Sequence, residues 1–132
     1  MKKSTLDKKA WKLFSEIRRR EDAWKRGDGD NVPCVTCGNW KHWKEMDAGH
    51  YADLGKMYGA GKFQAEAVHN QCKKCNYYEN GNQHLYHQFM LTNYGEDKTL
   101  YLASLKHKTA GYTHNDYLLL IEEFKKKLKR YT

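Results

Sequence analysis

The chain has 132 residues, 39% of them hydrophobic, which excludes several domains and a large core and points to one small domain stapled by a metal. Its 24 Lys and Arg against 16 Asp and Glu give a formal charge of +8, which favours an anionic partner such as nucleic acid, although a lysine-rich face is also a common solvated surface. No apolar run approaches the length of a membrane span, and Met1-Lys2-Lys3-Ser4 opens without a secretory signal, so a reducing cytoplasm is expected.

Residues 5–26 predict an amphipathic helix. Leu6, Ala10, Leu13 and Ile17 form its apolar stripe, Ser4 is the expected N-cap, and Gly27-Asp28-Gly29-Asp30 ends it. The other face carries Arg18, Arg19, Arg20, Lys25 and Arg26, which either follow a phosphate backbone or face water. Trp11 and Trp24 are expected to pack.

Cys34 and Cys37, then Cys72 and Cys75, use every cysteine of the chain and bracket a 34-residue insert. Two thiolates two residues apart reach one ion from a tight turn, so the four predict a structural zinc site; disulfides and redox pairs are the competing uses. Inside the insert, 39–43 and 46–52 read as two strands of one hairpin joined by Lys44 and Glu45. A loop spaced by Gly55, Gly59 and Gly61 carries Lys56 and Lys62, expected with Lys73 and Lys74 to grip phosphates.

The last third reads as helical. Leu85, Phe89 and Met90 form an apolar face ending near Gly95; Leu100, Tyr101 and Leu105 supply a second short helix. Thr113 to Asp116 resembles a capping box ahead of Tyr117, Leu120, Ile121, Phe124 and Leu128, all expected in the core. Lys125, Lys126, Lys127, Lys129 and Arg130 repeat the ambiguous basic face. His84 and His87 are expected on the surface rather than on a metal.

Phosphodiester hydrolysis needs a base to activate water and a divalent cation to neutralise charge on the phosphate and leaving oxygen. His50, on a strand between the cysteine turns, is the candidate base, with Gly49 beside it expected to leave room for a phosphate.

Together, the first cysteine pair, Ala48-Gly49-His50-Tyr51, Val68 and His69 with Gln71 to Asn76, and Gly81-Asn82-Gln83 resemble the NinG (Rap) recombination proteins of lambdoid phages. The resemblance covers about residues 32–95. It implies a phage- or prophage-encoded structure-specific endonuclease in a bacterial host, acting on branched DNA such as Holliday junctions, with a core similar to the HNH, or ββα-metal, nucleases. A site ending in a cysteine pair and Asn also resembles the endonuclease VII type of junction resolvase.

Carried over by residue, the resemblance implies that the four cysteines hold zinc, that His50 activates water, and that Asn76 ligates a catalytic magnesium or manganese ion. Two positions depart from the HNH pattern. Gly49 stands where an Asp usually shares the metal, which leaves Asp47, then Asp53, as the carboxylate. Ala67 stands where a structural Asn is usual, so Asn70 or His69 is expected to brace the His50 loop. Asn82 is expected to touch the metal shell or the DNA backbone.

The expected fold is α+β: a zinc-braced ββα core at 31–95, a basic helix at 1–30 and helices at 96–132, all in one compact domain. The expected partner is branched DNA, which a homodimer would suit. The alternatives are a zinc-ribbon DNA-binding module without catalysis and a sequence-specific homing or restriction-like HNH nuclease.

Overall fold

The computed structural model describes residues Met1–Thr132. Helix α1 (Lys3–Arg26) buries Leu6, Ala10, Phe14 and Ile17 along one face, as the spacing requires. Ser4 is not its cap. It lies within the helix, and Lys2 precedes the first turn without a side-chain bond. Helix α3 (His114–Lys129) does have its predicted capping box, with Thr113 and Asp116 each bonding the other's backbone N–H. Tyr117 and Ile121 of α3 pack on Leu6 and Ala10 of α1, bringing the two ends of the chain together.

Four short strands form two separate antiparallel pairs. Strand β1 (Asn31–Pro33) pairs with β2 (Trp40–His42), and β3 (Asp47–His50) pairs with β4 (Val68–Gln71). The expected hairpin between 39–43 and 46–52 is therefore corrected. Both segments supply strands, but each pairs elsewhere. Between them a 3-10 turn (Trp43–Glu45) is capped by the His42 side chain, and Trp43 and Met46 sink into the core beside Cys34, Cys72 and Cys75. Burying those two large side chains turns the corner that a tight hairpin would have left in solvent.

Helix α2 (Gln83–Ser104) is two helical segments joined at Gly95, whose φ of 81° and ψ of 169° break the helix where the apolar face was expected to end. Tyr86, Met90, Leu102 and Leu105 enter the core with Tyr51 and Leu54. Leu100 and Tyr101 of the second segment are exposed, as is Trp24, which was expected to pack. No helix is long and apolar enough to cross a membrane.

The arginines of α1 mostly serve the fold. Arg18 donates to the Val68 carbonyl at 2.8 Å, Arg26 pairs with buried Asp22 at 2.7 Å, and the Arg20 guanidinium lies 4.5 Å from the Trp43 ring centre. Lys62, expected to grip phosphate, is also buried: its ammonium pairs with Asp7, which accepts from the Tyr117 hydroxyl at 2.9 Å as well. Removing one partner of such a buried pair leaves the other charge uncompensated, so Asp7→Ala should lower unfolding free energy by about 3–5 kcal/mol in a urea titration. A loss below about 1 kcal/mol, the range of exposed ion pairs, would refute that reading.

Candidate metal centre and adjoining cleft

The strands bring both cysteine turns to one point. All four Sγ atoms lie within 4.8 Å of one another, and those of Cys37 and Cys72 are 3.7 Å apart. Four thiolates about 2.3 Å from a tetrahedral zinc ion would be spaced about 3.8 Å, so the sulfurs stand within about 1 Å of the spacing such a metal needs. Its sulfurs are also supported from outside. The Cys72 N–H points at Cys34 Sγ at 3.3 Å, and the Asn82 amide at Cys75 Sγ at 3.7 Å. Burial pushes the Cys72 thiol up to about 12, while Cys34, despite burial, is held near 6 by the Cys37 and Cys72 backbone N–H groups and the Thr36 hydroxyl. A cation at the centre would supply the positive charge that lets all four ionise together.

Asn82, expected at the metal shell or the DNA backbone, directs its amide at the thiol cluster. It stands in a left-handed conformation just before α2.

Strand β3 carries His50 away from the cysteines into an open cleft of about 460 Å³, lined also by Asp53, Gly55, Lys56, Asn76, Asn80, Gly81 and Gln83. The ring's Nε2 lies 3.0 Å from the Lys62 carbonyl oxygen. A carbonyl only accepts, so Nε2 carries the proton and the neutral ring keeps a bare lone pair on Nδ1. On the Nδ1 side stands Gly55, where any Cβ would come within 2.7 Å of that nitrogen. Trp11 stacks on the ring with centroids 4.6 Å apart, so its packing is against the histidine itself. Burial first, and the Lys62 charge second, pull the imidazole down to about 4, although its hydrogen bond to Lys62 opposes them.

Gly49 does not leave room for a phosphate: a Cβ there would collide with Gln71 Oε1 at 2.1 Å, so the missing side chain admits the neighbouring strand.

Immediately after the strand, Ala52 and Asp53 both take positive φ, 54° and 61°. Such a conformation costs of order 1 kcal/mol per non-glycine residue and persists only where neighbours enforce it. Gln83 enforces it here. Its amide oxygen accepts from the Ala52 N–H at 2.6 Å, while its amide nitrogen donates to the His50 carbonyl at 3.1 Å. Sequence reasoning noted Gln83 within a motif but not as this brace. The result places Asp53 on the cleft beside His50.

Asp47, the first expected carboxylate, is instead outside the cleft lining. One oxygen accepts from Lys73 at 2.8 Å and the other from the Asn76 amide at 3.1 Å. Strand alternation puts residues 47 and 50 on opposite faces, which explains the displacement. The contact does orient Asn76, which also lines the cleft and whose amide oxygen accepts no hydrogen bond within the chain.

His69 and Asn70, expected to brace the His50 loop, are both buried in the scaffold, off the cleft. Asn70 donates to Asp22 at 2.8 and 2.9 Å, tying β4 to α1. His69 sits between the hydroxyls of Tyr86 and Tyr94, and Tyr86 donates to the Gly49 carbonyl at 2.8 Å, so His69 steadies the His50 strand only at second hand. Burial pulls its imidazole down to about 3.

Both histidines have folded pKa values below the ordinary 6.5. The unfolded chain therefore takes up protons first, and their stabilising contribution, complete above about pH 6.5, declines as pH falls toward 4 and then 3. Nitrogen-15 spectra of labelled histidine should show His50 as the neutral Nε2–H form down to pH about 5. A protonated ring at pH 6 would contradict the assigned environment. Cys72→Ser should release the metal and abolish cooperative unfolding; elemental analysis showing full retention of zinc would remove the cluster from its role.

No curated protein and no solved structure matches the chain. The family described as Bacteriophage Lambda NinG protein matches residues 1–132. That match spans the cysteine cluster, the His50 cleft and the helices that enclose them, and the chain belongs to the Bacteriophage Lambda NinG protein family.

Proposed function

We propose that this protein is a metal-dependent DNA endonuclease of phage recombination, with His50 as the general base. One observation carries the reading: a neutral imidazole whose Nε2–H is committed to the Lys62 carbonyl, leaving Nδ1 bare beside a cleft that also holds the Asn76 amide and the Asp53 carboxylate. Family membership supports the recombination context. In this reading strands β3 and β4 with the five-residue helical turn Lys74–Tyr78 take the place of the two-strand-and-helix unit of HNH nucleases.

The chain's own groups do the following. His50 Nδ1 accepts a proton from a water lying between it and a phosphodiester in the cleft. As the ring becomes cationic, its Nε2–H bond to Lys62 strengthens and the Trp11 face stabilises the charge. A free ring with a pKa near 4 is a weak base at neutral pH, but an anionic phosphate drawn alongside raises it toward the working range. Asp53 and the Asn76 amide oxygen are hard donors suited to magnesium or manganese. Such a cation, when bound, neutralises charge on the phosphate and the leaving 3′ oxygen.

On the turn that carries the cleft residue Asn76, Tyr77 and Tyr78 are 74% and 76% exposed, and the exposed Lys73 and Lys74 precede them in the chain. Aromatic faces among lysines suit splayed bases of branched DNA. A four-way junction presents paired strands to two such clefts, which a homodimer would supply.

One observation favours a second reading, a zinc-dependent DNA-binding module without catalysis: Asp53 is the only carboxylate lining the cleft. Cleavage separates them. With magnesium or manganese the protein should nick branched DNA, and His50→Ala should cut about 10²–10⁴-fold more slowly with binding retained. Equal cutting by that variant would end the base assignment; no cutting of any DNA by the parent would establish the binding module.

A further inference from the structure

The cleft does not end at His50. A second lobe of about 560 Å³ continues from it, sharing Asp53, Asn80 and Gln83 with the first and adding Tyr51, Ala52, His87 and Lys106. His87 comes from the first segment of α2 and Lys106 from the 3-10 turn that closes it (Leu105–His107), so residues distant in sequence meet at one opening.

We propose that this lobe is a second phosphate subsite, in which His87 and Lys106 bind the phosphodiester adjacent to the one held against His50. The proposal rests on the nuclease reading only in taking DNA as the ligand.

The His87 ring is a built feature. The buried Tyr51 lies under it with ring centroids 5.9 Å apart and planes 19° apart, and the Tyr51 hydroxyl reaches His87 Nδ1 at 2.6 Å. That hydroxyl has no other hydrogen-bond partner, so its contact holds the ring by Nδ1. Nε2 is then the ring nitrogen left without a partner, and a proton there is the donor that a phosphate oxygen would accept from. Lys106 and Lys56 are exposed, make no ion pair, and stand in different lobes with Asp53 between them. The carboxylate at the junction, with the Asn76 amide, is where a divalent cation would offset its repulsion of phosphate. A strand crossing both lobes thus meets Lys56, the base and its metal donors, then His87 and Lys106.

Anisotropy titrations of a fluorescein-labelled four-way DNA junction test this, using His50→Ala as the parent to prevent cutting and varying KCl. Adding Lys106→Ala should reduce the slope of log affinity against log salt by about 1, the signature of one lost phosphate contact. Adding His87→Phe, which keeps a ring over Tyr51, should weaken binding about tenfold, and His87→Gln, which restores an N–H donor, should recover most of that. Lys126→Ala, an exposed lysine on α3 outside both lobes, is the control for lost charge. If Lys106→Ala changes the slope no more than Lys126→Ala, or His87→Phe binds like the parent, the subsite is refuted. Failure of the nuclease reading shows separately, as absence of cutting by the unaltered chain, and leaves these binding outcomes intact.

Discussion

Convergence of four thiols on one point governs the rest of this structure. Neither strand pair has more than four residues per strand, too little for independent stability, and β1–β2 and β3–β4 share no sheet. The cysteine turns bind one pair to the other. Structural zinc in small peptides contributes an apparent ~10–16 kcal/mol, comparable with the ~5–15 kcal/mol net stability of a whole domain, so a zinc ion held by these four thiols would outweigh any single packing contact. Because Asn76 directly follows Cys75, closing the cluster also delivers that amide to the edge of the His50 cleft.

Chemically sparse signals were legible in the sequence. Four cysteines in two pairs, an apolar stripe at helical spacing and a capping box each have few physical interpretations, and the cluster, α1 and α3 follow them. Strand pairing was not legible. Strands of three and four residues offer almost no periodicity, and their partners depend on where Trp43 and Met46 are buried.

Charge misled for the same reason. Lys62 beside aromatic and glycine residues reads as a phosphate contact until Asp7, 55 positions earlier, is seen to neutralise it. Arg18 and Arg26 read as solvent or backbone contacts until β4 and Asp22 supply their partners. Asp47 was the carboxylate nearer in sequence to Gly49, but alternation along β3 turns it away from His50, and the left-handed pair Ala52–Asp53 brings the next one forward. Gln83 left no trace as a brace because its amide bonds backbone groups over thirty residues away.

The buried pairing of Lys62 with Asp7 also bears on how portable this cleft is. The carbonyl that dictates which nitrogen of His50 holds its hydrogen belongs to Lys62, and that lysine is anchored by α1 and, through Asp7, by Tyr117 of α3. A fragment spanning only the cysteines and the strands would carry every expected ligand yet lose the outer helices that choose the tautomer. The imidazole chemistry is therefore a property of the whole fold, and the segment cannot be transplanted as a self-sufficient cassette.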